Sequence, residues 1–525
     1  MSTREHFILP EAAYRTYDEY RRAMAEDALA KARATRPEAI IDIIHRSGLR
    51  GRGGAGFPTG TKWRSIQRHP CPTRYAVCNA AEGEPGTFKD RFLLRLNPYA
   101  MLEGLLIAAH VVGAERTFVA IKKSFIREVA RLRGAVDEMD RAGALGGITV
   151  EIVEGPEEYL FGEEKALLEV IEGNDPLPRE AHYPPYERGL FATALSPNPA
   201  AVNNVETLAR VPGILRHGPE SFRALGTADT PGPLLFTVSG DVVRPGVYEL
   251  EAGITLKALF TEVAGGPHGG HKLRAALSGV STAVIDAERF HTHIDHASLS
   301  LIGAGLGSAG FIVLDDRRSI PRVTQSVARF LYVESCNQCA ACKHGLRMAS
   351  SAIDELFDSE KATADDIERA LYGARHAPQG NRCYLPVQGA TVISSLMERY
   401  AGEFRAQLAN PTGAPETWLI PKMVDFDEKT RQFSFDEAQP RKRPNWTYEP
   451  APPAPKAPTA AKTLPSPTTE KAPSARAPLP APATPIAVRL MPDVRDRLAR
   501  AIRDPGEIDA VVNAALRAWL EQRGA

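Results

Sequence analysis

The sequence lacks an excess of charge of either sign, since 64 Lys and Arg residues are balanced by 64 Asp and Glu residues. A balanced chain has no global electrostatic reason to bind nucleic acid or an anionic membrane surface. Neither class of partner is therefore expected from composition. The chain has 525 residues, which is enough for several domains with cores of their own.

Long apolar runs and a secretion signal are also missing. The apolar stretch at residues 105–114 includes His110 and lies between Glu103 and Glu115. It is far shorter than the roughly 20 residues that cross a bilayer. The N-terminus shows no positive segment followed by an apolar core and a cleavage site. We therefore expect a cytoplasmic protein without direct membrane insertion.

Cysteine is scarce, with six residues in the whole chain. Four of them fall in one region: Cys336, Cys339, Cys342 and Cys383. Such a distribution suits metal ligation better than a disulfide framework. Cys71 and Cys78 are expected to be ordinary thiols.

Hydrophobic patterning predicts an α/β fold for residues 1–232. Short β-type runs at 74–78, 117–122 and 148–153 alternate with helical runs at 101–112, 125–139 and 163–171. This alternation indicates a parallel, Rossmann-like sheet covered by helices. Ligands of such sheets bind at the carboxyl ends of the strands.

Composition and hydrophobic pattern divide the rest of the chain into five predicted segments. These are a small β-rich module at 233–318, a helical domain at 319–412, a hairpin extension at 413–448, a linker at 449–485 and a tail module at 486–525. The linker is rich in Pro and Ala and cannot bury enough apolar surface to offset its chain entropy. The tail, by contrast, has the pattern of a short strand followed by two helices.

A glycine-rich segment at residues 48–63, GLRGRGGAGFPTGTKW, holds six glycines and three cationic residues. Glycine lets backbone N–H groups approach an anion without a Cβ in the way, and Arg52 and Lys62 add charged donors. A bound phosphate ester is the expected ligand. Glycine content alone is equally compatible with an open surface loop.

The cysteine spacing is more specific. Cys336, Cys339 and Cys342 form a C-x2-C-x2-C run, and Cys383 follows after 40 intervening residues. Three thiolates from one tight turn and a distant fourth suit a [4Fe–4S] cluster. A structural zinc site is the competing interpretation, although such sites more often use two separated C-x2-C pairs.

The glycine-rich segment resembles the FMN-binding loop of the NADH-binding flavoprotein subunit of respiratory complex I. That family is shared with flavoprotein subunits of NAD-linked hydrogenases and formate dehydrogenases. Three further segments resemble the family's flavin and nicotinamide loops: CNAAEGEPGTFKDR at 78–91, YLFGEE at 159–164 and AVNNVET at 201–207. ESCNQCAACKHG at 334–345 and GNRC at 380–383 resemble its cluster motif. The similarity runs in the same order from about residue 40 to about residue 405.

The resemblance implies an FMN domain, a β-grasp domain of the SLBB type at 233–318 and a helical domain that carries the cluster. It implies FMN, a [4Fe–4S] cluster and NAD(H) as cofactors, with the four clustered cysteines as metal ligands and with Glu82 and Glu84 as catalytic residues. The implied cofactor-binding residues are Gly51, Arg52, Gly53, Gly54, Lys62, Asn79, Glu82, Tyr159, Gly162, Glu163, Glu164, Asn203, Asn204 and Thr207, with Phe57 and Tyr186 as stacking partners for adenine. Taken singly, each would be an ordinary surface or core residue.

The implied activity is that of an NADH:quinone oxidoreductase-type flavoprotein subunit. NADH delivers a hydride to FMN, and single electrons leave through the cluster to partner subunits. The implied partners are a thioredoxin-like [2Fe–2S] subunit and a larger catalytic subunit. The location is then cytoplasmic, with the complex peripheral on the cytoplasmic face of the membrane.

Several positions depart from the family pattern. The family usually has Asp where Ala81 stands, an aromatic residue close to Ser65, and Lys-Pro-Pro-Phe where this chain has YPPY at 183–186. It also has Gly at the position of Asn337 and Arg at the position of Lys343. The differences at Ala81, Ser65 and Tyr183 keep open an alternative function, an FMN and [4Fe–4S] electron-transfer subunit of a formate dehydrogenase or hydrogenase-type complex with weakened or no direct NADH binding.

The tail at 486–525 resembles a ribbon–helix–helix unit, in which strands pair within a dimer. Arg489 is the only basic residue of the candidate strand IAVRL, whereas base reading by a β-ribbon uses several polar contacts. Some 40 residues are too few for an independent core. Self-association or docking on a partner is therefore expected, and nucleic acid binding is not.

Overall fold

The computed structural model describes residues 6–180, 183–412 and 418–450. The predicted linker, apart from residues 449 and 450, and the whole predicted tail lie outside these ranges.

The N-terminal sheet is parallel, as the alternating pattern predicts, with strand order β3-β2-β1-β4. Its strands are β1 (Tyr75–Ala80), β2 (Arg116–Lys122), β3 (Thr149–Gly155) and β4 (Ala200–Asn204). Successive side chains of a strand point to opposite faces. Ala76 and Cys78 of β1 enter one hydrophobic cluster and Tyr75 and Val77 enter another. Both faces are thus covered, and the predicted α/β fold is confirmed.

The helices of this region surround the sheet. They are α1 (Tyr17–Ala23), α2 (Ala28–Ala34), α3 (Pro37–Ser47), α4 (Thr59–Gln67), α5 (Lys89–Leu96), α6 (Pro98–Val112), α7 (Ile126–Arg141), α8 (Glu164–Ile171), α9 (Val205–His217) and α10 (Pro219–Arg223). The central helix α6 begins after Asn97, whose side chain accepts a hydrogen bond from Ala100 N at 3.2 Å. It ends at Gly113, which has a left-handed φ of 74°. Nearly every side chain of α6 is buried, which explains its apolar sequence.

Helices α5 and α6 together have the length and composition of a membrane span, but they are bent by 100° at their junction. No single helix of the described ranges is long and apolar enough to cross a bilayer.

A second, mixed sheet has strand order β6-β5-β9-β7-β8. Its strands are β5 (Pro233–Gly240), β6 (Gly246–Glu251), β7 (Leu273–Ser278), β8 (Ile285–Asp286) and β9 (Gly310–Asp315), with helix α11 at His296–Leu301. Strands β5 and β6 pair antiparallel. A π-type turn follows at Ala258–Val263.

The region that carries the four cysteines is helical. Its helices are α12 (Ile320–Glu334), α13 (Ala340–Glu355), α14 (Ala364–His376), α15 (Leu385–Arg399) and α16 (Ala401–Ala409). Helices α13 and α14 approach closely where two glycines face each other, since a Cβ on Gly345 would lie 2.5 Å from Gly373 O. The predicted hairpin follows as β10 (Met423–Asp427) and β11 (Gln432–Phe435).

The contact of α6 with α9 generates a stability prediction. A Cβ on Gly104 would lie 1.9 Å from the backbone oxygen of Leu208, so Gly104→Ala must push the helices apart and should lower the free energy of unfolding by about 1–3 kcal/mol. Gly134→Ala is the matched control, because nothing lies within 4 Å of a Cβ there. It should raise stability by up to about 1 kcal/mol through helix propensity. Urea unfolding measures both, and equal stability of the two variants would contradict this account.

Candidate functional site

A cavity of about 880 Å³ opens at the carboxyl ends of the N-terminal strands. Its walls come from the glycine-rich segment, the loops after β1 and β3, the junction of β4 with α9, two loops of the second-sheet region and the start of α15. The volume lies within the range of about 300–1,000 Å³ that is usual for ligand sites. The position agrees with the rule for parallel sheets, because β1 and β4 lie side by side at this edge.

Most of the predicted site residues line this cavity. They are Gly51, Gly53, Gly54, Phe57, Lys62, Asn79, Glu82, Glu84, Tyr159, Gly162, Glu163, Glu164, Asn203, Asn204 and Thr207. Arg52 and Tyr186 do not line it.

The glycine-rich segment forms a cradle that side chains would fill. Its ends are joined by a hydrogen bond from Gly51 N to Phe57 O at 2.9 Å. A Cβ on Gly53 would lie 3.2 Å from Asn204 Cβ, and a Cβ on Gly56 would lie 2.6 Å from the ring of His296. The open backbone is therefore enforced by close neighbours, and it suits an anionic ligand such as a phosphate.

Arg52 contributes to this cradle through its backbone. Its N–H donates to Thr207 Oγ1 at 2.8 Å, while its guanidinium turns away from the cavity and donates to Pro231 O at 2.8 Å. Burial lowers the pKa of Arg52 to about 10. The predicted charged contact between this side chain and a phosphate is not the arrangement in this structure, because the guanidinium is buried behind the loop.

Lys62 supplies the cation at the cavity wall. Its ammonium donates to Glu164 Oε1 at 2.8 Å and to Val202 O at 2.9 Å. On the next residue, the indole N–H of Trp63 donates to Asn203 Oδ1 at 2.9 Å. Helix α4 thus carries Lys62 and, through Trp63, orients the side-chain amide of Asn203, a predicted flavin-binding group.

The loop after β1 is tied to the loop after β3. Asn79 donates from Nδ2 to Gly162 O at 2.8 Å, and its Oδ1 accepts from Ala81 N at 3.2 Å. A Cβ on Gly162 would lie 3.2 Å from Ala81 O. Ala81 lines the cavity at this point with a methyl group.

The carboxylate of Glu82 is committed to structural contacts. It accepts from Asp90 N at 2.9 Å and from Arg91 Nε at 3.0 Å, and the ion pair with Arg91 is buried. A carboxylate bound in this way fixes the start of α5 under the cavity.

Glu84 lies where three regions of the chain meet. It accepts from Val280 N at 2.7 Å and from the hydroxyl of Tyr159, and Gln388 Nε2 donates to that same hydroxyl at 2.9 Å. Burial raises the pKa of Glu84, which opposes the effect of the Tyr159 hydrogen bond. This carboxyl group can hold a proton next to the cavity at a higher pH than an exposed glutamate.

Glu163 caps the start of α8 from within the cavity. Its side chain accepts from Lys165 N at 3.0 Å and Ala166 N at 2.9 Å. Burial raises the pKa of Glu163 to about 7. Together with Glu84 and Glu164 it makes one side of the cavity acidic, which suits hydrogen bonding to ribose hydroxyls.

A second group of lining residues was not predicted from the sequence. These are Lys89, Asp90, Ser281, Thr282, Ala283, His296, the loop at 303–308, Tyr384, Leu385, Gln388 and Thr391. The loop at 303–308 reads GAGLGS, so its glycine content was a usable signal. Lys89 Nζ contacts Asp90 Oδ1 at 2.8 Å and Glu206 Oε2 at 3.0 Å, which places a buried charge network beneath the cavity.

Phe57 and Tyr186 lie together at the rim. Their ring centroids are 6.1 Å apart with an interplanar angle of 19°, and Phe57 is 41% exposed. An exposed, nearly parallel aromatic pair is a platform for a planar ring such as adenine. Ser65 and Tyr183 do not line the cavity.

The four clustered cysteines line a second, small pocket. Its other walls are Leu160, Ser335, Arg382, Leu385 and Pro386. All six cysteines of the chain lie in the described ranges and are free thiols. Burial raises the pKa of the Cys342 thiol to about 11 and raises that of Cys383 as well. Thiols that converge on one pocket ionise when a metal binds them, so the donor set fits an iron–sulfur cluster.

Profiles of known protein families match the two parts of the chain that contain the glycine-rich segment and the four clustered cysteines. The family profile described as "Nuo51 FMN-binding domain" matches residues 44–213, and that of the "NADH-ubiquinone oxidoreductase-F iron-sulfur binding region" matches residues 322–407. The SLBB domain profile matches residues 235–284.

Curated relatives align with most of the chain. It is 36% identical over 381 residues to the F 2 subunit of the NADH-quinone oxidoreductase of Rhizobium meliloti (strain 1021), covering 71% of this chain and 89% of that protein. It is 36% identical over 395 residues to the F subunit of the NADH-quinone oxidoreductase of Aquifex aeolicus (strain VF5), covering 74% and 90%. Among solved structures, a NAD+-reducing [NiFe]-hydrogenase in the H2-reduced state matches with a TM-score of 0.67 and 32% identity, covering 76% of this chain and 67% of that one.

The contacts of Lys62 generate a binding prediction. Lys62→Met removes a charged donor from the cavity wall and leaves Glu164 unpaired, so FMN should bind more weakly by about 10- to 100-fold, which corresponds to a charge-assisted hydrogen bond of about 1.5–3 kcal/mol. Lys123→Met, at an exposed position after β2, is the matched control. Fluorescence titration of the flavin-stripped chain with FMN gives the dissociation constants. Equal affinities in the two variants would exclude Lys62 from the flavin site.

Proposed function

The chain belongs to the family of NADH-quinone oxidoreductase F subunits, and we propose from this membership that it oxidises NADH, or reduces NAD+, at FMN and passes electrons through a [4Fe–4S] cluster to partner subunits. The family establishes the flavin, the cluster and the dinucleotide as cofactors. The residues that serve them in this chain are the part that we propose.

The observation that carries the proposal is a wall shared by the two pockets. Leu160 and Leu385 line both the large cavity and the cysteine pocket. Electrons pass efficiently only between redox groups that are close together. The pockets that would hold the flavin and the cluster are therefore neighbours.

FMN, when bound, accepts electrons as a hydride pair and releases them singly, which is why such a cofactor joins a dinucleotide to a cluster. The glycine cradle and Lys62 would hold its phosphate. The amides of Asn79, Asn203 and Asn204, which the surrounding hydrogen bonds keep oriented, would bind its polar groups. Glu84, held by Tyr159, is positioned to keep a proton beside the reacting ring.

We assign the dinucleotide to the acidic and aromatic side of the cavity. Glu163 and Glu164 can accept hydrogen bonds from ribose hydroxyls, and Phe57 with Tyr186 provides a stacking surface for adenine. Glu82 is assigned to the positioning of α5, because its carboxylate is bound to Arg91.

A second candidate function remains for the same pockets. Ala81 presents a methyl group to the cavity where relatives of the family usually have Asp, and the matching hydrogenase supports a role outside a quinone-linked enzyme. In this alternative the protein serves a hydrogenase or formate dehydrogenase-type complex and exchanges electrons with a partner protein with weak or no NADH binding.

The partners that we propose are other iron–sulfur subunits. A thioredoxin-like [2Fe–2S] subunit and a larger catalytic subunit would accept electrons from the cluster. Cysteines that are free of disulfides, four of them in a cluster motif, are typical of a reducing compartment. We therefore place the chain in the cytoplasm, with membrane contact only through its partner subunits.

We also propose that the tail module at 486–525 serves self-association. Its strand-helix-helix pattern, after a Pro- and Ala-rich linker, is the support for this assignment. The tail lies outside the described residues, so the assignment rests on sequence alone.

NADH oxidation is tested with the purified holoprotein under anaerobic conditions. Addition of NADH should bleach the flavin absorbance and then produce the paramagnetic signal of a reduced cluster. Cys383→Ala is the diagnostic variant, because it should keep the bleaching and lose the cluster signal. Cys78→Ala, in the core of β1, should keep both. Intact flavin that does not bleach with NADH would reject the proposed activity and favour the electron-carrier alternative.

The tail prediction concerns the mass of the particle. Deletion of residues 486–525 should lower the oligomer mass on light scattering and leave flavin and cluster content unchanged, because the redox pockets lie elsewhere in the chain. A change in mass equal only to the loss of the tail itself would reject self-association through this module.

A further inference from the structure

The segment at 418–450, here called the C-terminal strap, contacts chain segments that lie beside both redox pockets. It follows the matched iron–sulfur region, which ends at residue 407. Pro421 O accepts from Gly86 N at 2.8 Å, and Met423 O accepts from Arg91 Nη1 at 3.0 Å. One end of the strap is thus bound to the segment that carries Glu82 and Glu84.

The other end of the strap reaches the loop that carries the cysteines. Lys442 Nζ lies 2.7 Å from Glu334 Oε2, and both side chains are 0% exposed. Gln439 Nε2 donates to Glu334 Oε1 at 3.1 Å, and Lys422 Nζ lies 3.7 Å from the same oxygen. Glu334 ends helix α12 two residues before Cys336. A buried ion pair therefore lies directly beside the cysteine loop.

A second tie holds the loop itself. Asn337, the neighbour of Cys336, has a left-handed φ of 60°. Its Nδ2 donates to Pro444 O at 2.8 Å. Ser335, which lies between Glu334 and Cys336, places its hydroxyl 3.3 Å from Cys342 Sγ. The strap thus fixes the turn from which three of the four thiols converge.

Charge near a cluster alters its reduction potential, because the reduced cluster is more negative than the oxidised one. The effect is strong where water is excluded. The pair of Lys442 with Glu334 is fully buried, and the partly exposed Lys422 and Asp436 lie 3.1 Å apart beside it. Removal of the charge on Lys442 or on Glu334 therefore changes the net charge beside the cysteines, in opposite directions.

We propose that the C-terminal strap tunes the cluster, with the buried Lys442 ammonium on Glu334 holding the reduction potential above the value that the cysteine loop alone would give. The inference rests on the proposed function, because it requires a cluster on the four cysteines. Lys442 acts as a positioning residue, since it touches Glu334 and no cysteine ligand.

The experiment compares full-length holoproteins by redox titration with detection of the cluster's paramagnetic signal. Lys442→Met removes a positive charge and should shift the midpoint potential to a more negative value. Glu334→Gln removes a negative charge and should shift it to a more positive value. The double variant should lie between them, and Lys429→Met, at the exposed hairpin turn, should match the wild type.

A purely structural role predicts a different result. A strap that merely holds the fold would, when loosened by Lys442→Met or Glu334→Gln, move the midpoint in the same direction or leave it unchanged. Either result overturns the proposal. Should Lys442→Met lose its iron, Lys422→Met removes a positive charge from the same carboxylate, and an unchanged midpoint in that variant overturns the proposal equally.

Iron and sulfide analysis of the wild type separates the two levels of inference. Wild-type protein without iron and sulfide overturns the proposed function, and this inference with it. Wild-type protein with an intact cluster, together with variants whose midpoints do not move, overturns the tuning role alone.

Discussion

The thin wall made by Leu160 and Leu385 is the constraint on which the rest of the structure depends. It separates a cavity built at the edge of a parallel sheet from a pocket built between helices. Two regions with separate cores must therefore keep a fixed position relative to each other. Tyr159, next to Leu160, provides much of that fixation: its hydroxyl binds Glu84 and Gln388, and its backbone N–H donates to Glu334 at 3.1 Å. The short turn at Tyr159–Gly162, after β3, thus contacts the loop that carries Glu84, helix α15 and the buried pair of Glu334 with Lys442.

Buried charges recur wherever regions of the chain join. Lys89 contacts Asp90 and Glu206 below the cavity, and Arg210 joins Glu206 to Glu249 of the second sheet. Desolvation makes such ion pairs weak sources of net stability, whereas the loss of one partner leaves a buried charge unpaired. Their effect is to allow a single arrangement of the joined regions. The pair of Lys442 with Glu334 follows the same pattern at the cysteine loop, which is why a change there reaches the cluster.

The positions that depart from the family pattern do not all line the cavity. Hydrogen bonds hold the groups assigned to the flavin. Lys62 binds Glu164, Asn79 binds Gly162 O, and Asn203 accepts from Trp63. Ala81 replaces an acidic group with a methyl group, and Ser65 and Tyr183 lie away from the cavity. The nearly parallel pair of Phe57 and Tyr186 retains an aromatic surface at the rim. Ala81, beside Asn79 and Gly162, is thus the departure that changes the lining of the cavity.

Local sequence determined the elements and the chemistry of this protein. Strand and helix periods depend on neighbours two to four residues apart, so the parallel sheet, the glycine cradle and the C-x2-C-x2-C run could be read directly. Tertiary structure decided which groups face which pocket. The guanidinium of Arg52 turns behind its loop and donates to Pro231 O, and the carboxylate of Glu82 binds Arg91 on α5, so both contacts depend on residues outside their own segment. The loop at 303–308 lines the same cavity as Gly51 and Asn79, and Lys442 binds Glu334, from which it is 108 positions distant. No local pattern records such contacts.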